Sequence, residues 1–143
     1  MEPRISILTL GVADIERSYR FYHEGLGFPT NGKPEDGVIF FQTNGVCLGL
    51  YPLEKLAEDV SPEQSSQRGA FPGITLAHNT KKKEEVEEIL TLAEKNGGKI
   101  EKPAQDVFWG GYSGYFSDPD GYFWEVAYGD NWEFNPDGSL VIK

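Results

Sequence analysis

Ser117-Asp118-Pro119-Asp120-Gly121-Tyr122-Phe123-Trp124-Glu125-Val126-Ala127-Tyr128 is the stretch whose reading decides the fold. Asp118-Pro119-Asp120-Gly121 has the chemistry of a type I turn. The Asp carboxylate can bond the turn backbone, Pro presets φ, and Gly suits the fourth place. Tyr112 to Phe116 lead into the turn and Tyr122 to Tyr128 lead out, so two aromatic-rich runs predict a β-hairpin. Side chains alternate along the second strand: Tyr122, Trp124, Val126 and Tyr128 share one face, and Phe123, Glu125 and Ala127 the other. Glu125 is the one acid in this apolar strand. A buried carboxylate is costly unless paired, so Glu125 is open to solvent, partnered, or titrating. Trp124 belongs with Val126 against a helix, in a core role.

Upstream of the hairpin, residues 71–77 predict a strand and Thr80 an N-cap. Val86, Ile89, Leu90 and Ala93 form the buried stripe of a helix that Asn96-Gly97-Gly98 ends. Lys99-Ile100-Glu101 reads as a short strand stopped near Pro103, followed by a loop that carries Phe108 and Trp109. The order is β-α-β-β-β. The N-terminal half has the same order. A strand over residues 4–10, apolar and so expected to be buried on both faces, precedes an N-cap at Asp14 and a helix that carries Tyr19 and Tyr22. Gly25 or Gly27 stops the helix. A short edge strand follows at Phe28-Pro29-Thr30, then two strands joined by the turn Thr43-Asn44-Gly45. The repeat can be counted: Asp14 to Thr80 is 66 residues, Gly25 to Gly97 is 72, and Gly49 to Glu125 is 76.

These boundaries give one domain over 1–143, with module one at 4–52, a linker at 53–69, module two at 70–129 and a C-terminal tail at 130–143. The predicted class is α+β: two tandem βαβββ modules forming an incomplete barrel around a cleft, with the helices outside. Trp132 and Phe134 in the tail are expected to dock on the domain or on a second subunit. The net charge of −10 argues against nucleic acid and anionic membrane as partners. No apolar run approaches a membrane span, no secretory leader is evident at Met1-Glu2-Pro3-Arg4, and the one Cys fits a reducing, cytoplasmic compartment.

Four features resemble the vicinal oxygen chelate superfamily, which holds glyoxalase I, bleomycin-resistance proteins and extradiol dioxygenases. They are Leu8-Thr9-Leu10-Gly11-Val12-Ala13-Asp14, Phe21-Tyr22 with Leu26-Gly27-Phe28, the duplicated module, and Asp118-Pro119-Asp120-Gly121 with Trp124-Glu125. The run Trp109-Gly110-Gly111-Tyr112-Ser113-Gly114-Tyr115-Phe116 resembles a branch labelled glyoxalase-like. The resemblance implies four metal-ligand positions: Ile7 and Gly73 on the first strands, Gly49 and Glu125 on the last. Only Glu125 carries a donor, and one carboxylate is not a divalent-ion site. His23 reads as a helix-surface residue and His78 as a strand-end residue.

The expectation is therefore a small-molecule pocket with no metal or other cofactor. Glu125 is its polar anchor or general base, and Phe123, Trp109, Tyr112, Gly49, Ile7 and Gly73 line it. Tyr112 and Tyr115 fall on opposite faces of one strand, so at most one of them lines the hollow. Trp109 either plugs the core or stacks on a ligand. Cys47 reads as a small buried hydrophobe. Three functions compete: a metal-free binding protein like the drug-binding resistance members, a lyase or isomerase using Glu125 with or without metal, and a structural partner domain. The resemblance also implies a homodimer.

Overall fold

A computed structural model describes residues 1–142, so Lys143 at the end of the tail lies outside the described residues. The chain divides into two compact units, Met1–Ala70 and the remainder from Phe71 onward.

The first unit runs β1 (Ile7–Val12), α1 (Ile15–Tyr19), β2 (Ile39–Phe41), β3 (Cys47–Pro52) and α2 (Leu53–Val60). Its sheet order is β1-β3-β2, with β1 parallel and β2 antiparallel to β3. Asp14 caps α1 as expected, its Oδ1 accepting from the Arg17 backbone N–H at 3.0 Å. The helix then continues as a π-helical stretch over Arg20–Gly25, where the Leu26 N–H reaches the Phe21 carbonyl at 2.9 Å. Gly27, at φ 78°, turns the chain out of it. Tyr22 is fully buried, and its ring meets Phe28 and Phe41, each at 5.8 Å. Phe41, Leu48, Leu50 and Leu10 share that buried, helix-facing side of the sheet.

Two expectations for this unit change. Phe28-Pro29-Thr30 lies beside β2 but forms no strand. Pro29 has no N–H, and what remains is the Gln42 N–H to Pro29 carbonyl bond at 2.8 Å and the Thr30 hydroxyl to Phe40 carbonyl bond at 2.7 Å. The first strand is also not buried on both faces: Ile5 and Ile7 are 69% and 50% exposed. The linker stretch opens with α2, the short amphipathic helix that Leu53, Leu56 and Val60 predict, and it packs on β1 and β3.

The second unit runs β4 (Thr75–Asn79), α3 (Glu84–Lys95), β5 (Lys99–Asp106), β6 (Tyr112–Ser117) and β7 (Phe123–Tyr128), in sheet order β4-β7-β6-β5. Neither sheet closes into a barrel, so the architecture is α+β with open sheets. The quoted turn forms as read. The Asp118 Oδ1 accepts from the N–H groups of Asp120 and Tyr122 at 2.9 and 2.8 Å, and Gly121 sits at φ 85°. Ser117 therefore pairs with Phe123, and the whole β6–β7 register follows from that turn. The stripe of α3 buries Val86, Leu90 and Ala93 against Phe116, Trp124 and Val126; Phe116 and Trp124 stack at 6.0 Å. At Gly114 a Cβ would come within 2.6 Å of Leu90, so a larger residue would push α3 off the sheet.

Thr80 is not the N-cap. The helix starts at Glu84, and Glu85 Oε2 instead accepts from the Lys81 and Lys82 N–H groups, each at 3.0 Å. Pro103 does not stop β5. The strand absorbs it on the sheet edge through register shifts either side of Lys102. The tail docks on its own unit: Trp132 stacks on Trp109, and Lys81 Nζ lies 5.7 Å from the centre of the Phe134 ring.

Candidate functional site

The pairing registers of the second unit fix which side chains share the face opposite α3. Glu125 on β7 lies between Ala77 on β4 and Tyr115 on β6, and Tyr115 lies opposite Lys102 on β5. The next row is Asn79, Ala127, Ser113 and Gln105. Over this face is a cavity of about 380 Å³, lined by Lys102, Gln105, Asp106, Val107, Phe108, Trp109, Ser113, Tyr115 and Glu125. Ser113 is a buried member of the floor, Tyr115 and Glu125 are half-buried, and Lys102 and Gln105 are exposed at the rim.

The electrostatics are local. Desolvation raises the Tyr115 phenol pKa first, and the charge of Glu125 and its hydrogen bond with Tyr115 raise it further. The phenol thus stands directly across from the Glu125 carboxylate and feels its charge. Asp106 is matched from outside the cavity by Lys83 Nζ at 2.9 Å. Lys102 is in no ion pair among the described residues. The wall is fixed by aromatic packing. Trp109 and Trp132 stack at 5.6 Å with 21° between planes. A Cβ on Gly111 would lie 1.7 Å from the Trp109 ring, and one on Gly129 would lie 2.8 Å from Trp132. Both indoles lie where only glycine leaves room.

Of the residues expected at the site, Glu125 and Trp109 meet in one cavity. Phe123 shares the Glu125 face, but its ring packs on Phe71 at 5.8 Å. Tyr112 is not part of the group. It points to the α3 side, where its hydroxyl donates to Glu87 Oε1 at 2.6 Å, and that bond, desolvation and nearby carboxylates raise its pKa. Tyr115 takes the place expected for Tyr112. Lys102, Gln105 and Ser113 were not anticipated. The hairpin turn contained the signal for Ser113 and Tyr115, because pairing Ser117 with Phe123 puts Tyr115 opposite Glu125.

Ile7 and Gly49 lie in the first unit, on the sheet face that also carries Phe40, Thr9 and Cys47. A Cβ at Gly49 would meet Phe40 at 3.3 Å and Thr9 Oγ1 at 3.4 Å, so the Phe40 ring fills the space beside the glycine. A second cavity of about 530 Å³ opens there, lined by Phe40, Phe41, Val38, Cys47 and the polar residues Asn31, Asp36, Gln42 and Thr43, with Gly32. Cys47 Sγ approaches the Phe41 carbonyl at 3.5 Å. Gly73 is not on a strand. It sits in the bend before β4 at φ 72°, with open space around it. Ile7 pairs with Cys47 two places before Gly49, and Thr75 pairs with Phe123 two places before Glu125. Thr75 is therefore the counterpart of Ile7.

Those positions do not fit a divalent ion. Ile7, Gly49 and Thr75 offer no imidazole or carboxylate, and among the described residues no three His, Cys, Asp or Glu side chains come together. The histidines act elsewhere. His23 Nδ1 donates to the Phe28 carbonyl at 2.8 Å, tying down the end of the π-helical stretch. His78 is paired with Val126 on the α3 face, away from Glu125.

The duplicated unit agrees with the fold of what the chain is similar to. No curated protein matches it. A crystal structure of a glyoxalase-related enzyme from Fulvimarina pelagi is 35% identical, with TM-score 0.87 over 98% of both chains. A lactoylglutathione lyase from Agrobacterium tumefaciens is 25% identical, with TM-score 0.68 over 94% of this chain and all of that one. A Nocardioides glyoxalase/bleomycin resistance protein/dioxygenase, 23% identical with TM-score 0.74 over 94% and 91%, shares the fold. The family's sequence model matches residues 4–126. Together with the two β-α-β units, that match over most of the chain means that the protein belongs to the Glyoxalase/Bleomycin resistance protein/Dioxygenase superfamily.

Proposed function

We propose that this protein binds a small organic molecule in the second-module cavity over Glu125, and that it does so without a metal at the superfamily's chelate positions. One observation carries the reading. The cavity gathers a carboxylate, a phenol and an ammonium on one sheet face with a loop indole beside them, while the other chelate positions offer no imidazole or carboxylate. A cavity of about 380 Å³ is within the range that holds a compact ligand. The test is a thermal-shift screen of metabolite-like fragments on wild type and Glu125→Gln, with metal analysis of protein purified without chelator. Hits that raise the wild-type melting temperature and lose that effect in the variant, on metal-free protein, support the reading. Stoichiometric metal, with hits that require it, overturns it.

A second reading is a lyase or isomerase in which Glu125 takes a proton from the bound molecule. The Fulvimarina pelagi relative, described as a glyoxalase-related enzyme, favours it. In that reading Tyr115 orients the carboxylate, and turnover of a carbonyl substrate would be abolished in Glu125→Gln. A homodimer in a reducing compartment belongs to the same proposal. Its supports are Ile7, Phe40 and Val46, exposed and apolar, and the single Cys. Light scattering that gives a monomer mass would remove the dimer.

A further inference from the structure

We infer that the ligand of this cavity is an aromatic zwitterion: one ring with an anionic group that Lys102 receives and a cationic donor that Glu125 receives. The inference rests on the reading that the cavity is the ligand site, and it adds what the site selects.

The geometry comes from the sheet. Glu125, Tyr115 and Lys102 stand in one row across β7, β6 and β5. Two strand spacings put the acid and the ammonium about 10 Å apart at the backbone. They do not pair with each other: Tyr115 stands between them, opposite both, and Lys102 is in no ion pair among the described residues. The only other charge at the cavity, Asp106, is already matched by Lys83. Two opposite charges are therefore left on one cavity, on strands two spacings apart. Neither end suits a ligand of a single sign. A plain anion would bring its charge toward Glu125 in a protein of net charge −10, and a plain cation would gain nothing from Lys102.

The third contact is the ring. Trp109 lines the cavity, and its indole is held by the Trp132 stack and by the absence of a side chain at Gly111. A stacking partner already fixed in place loses little freedom on binding, so a planar molecule gains most from it.

The probes are 4-(aminomethyl)benzoate, 4-methylbenzoate without the ammonium, and benzylamine without the carboxylate. Affinities are read by calorimetry, and the position by NMR shifts of the Trp109 indole N–H and the Glu125 amide. We expect the zwitterion to bind about tenfold more tightly than either half, since each end makes a charge-assisted hydrogen bond. Lys102→Gln should weaken the zwitterion and 4-methylbenzoate by about tenfold and leave benzylamine unchanged. Glu125→Gln should do the converse. Lys102 is exposed on an edge strand and Gln keeps the shape of Glu, so neither change threatens the fold. If the zwitterion has no advantage, if Lys102→Gln affects all three alike, or if no probe moves Trp109 at millimolar concentration, the inference fails. A fragment from the unbiased screen that still shifts Glu125 would then leave the binding reading standing.

Discussion

The two modules carry the same face and two different surfaces. On the helix side the paired positions correspond and stay apolar: Phe41, Leu48 and Leu50 in module one, Phe116, Trp124 and Val126 in module two, all buried. On the opposite side the same registers set Phe40 beside Gly49 in one module and Tyr115 beside Glu125 in the other. Val38 then corresponds to Ser113. Duplication thus keeps what each sheet needs to bury and leaves the second face free to differ. Module one has an aromatic ring over a glycine, while module two has a phenol opposite a carboxylate.

The largest effects should come from the shared side. Phe41→Ala and Phe116→Ala each remove a side chain only 1% exposed, and each should cost about 3–5 kcal/mol in urea unfolding. A cost below about 1 kcal/mol at either position would mean that the two helix faces do not play the same role. Next comes an exchange between the divergent sides. Gly49→Glu puts an unpaired carboxylate against Phe40, in a space already tight at 3.3 Å, and should destabilise by about 1–3 kcal/mol. Adding Phe40→Tyr rebuilds the module-two pair and should recover about 1 kcal/mol. No recovery would show that the Tyr–Glu pair depends on more of module two than the two residues.

Two titrations give smaller signals. A phenol whose folded pKa is raised holds its proton more tightly in the native state. Its contribution to stability is complete below the unfolded value near 10 and is lost as pH rises through the higher folded value. Ultraviolet titration should therefore show Tyr115 ionising late. Glu125→Gln should bring it part of the way down, leaving the desolvation share in place. An unchanged Tyr115 titration in the variant would break the pairing. The smallest effect concerns Glu101, whose pKa is lowered first by its hydrogen bond from Ser117, at 2.8 Å. Its contribution is present above the unfolded value and lost as pH falls through the folded one. Ser117→Ala should move the Glu101 carboxyl back toward the ordinary range in NMR titration.

Much of this was legible in the chain, and the failures have causes. Asp118-Pro119-Asp120-Gly121 fixed a turn, the turn fixed a register, and the register made Glu125 part of a face. Asp14 capped its helix because the signal is local. Long-range placements were not legible. Pro103 looked like a strand end, but an edge strand can bulge around it, and that hid Lys102 and Gln105 from the site. The resemblance puts the first-strand position at Gly73, but β4 begins only at Thr75, and its register with β7 makes Thr75 the counterpart of Ile7. Tyr112 and Tyr115 differ only in face, which the turn register settles and composition does not. The docking of Trp132 on Trp109 joins residues 23 apart, with no periodic signal between them.

The most direct test of the whole account is an amide NMR titration of metal-free protein with the fragments that raise its melting temperature. Shifts grouped at Ser113, Tyr115, Glu125 and the Trp109 indole are expected, with Phe40, Cys47 and Gly49 unmoved, and loss of those shifts in Glu125→Gln. Shifts grouped in module one, or binding that appears only after a divalent ion is added, would contradict it.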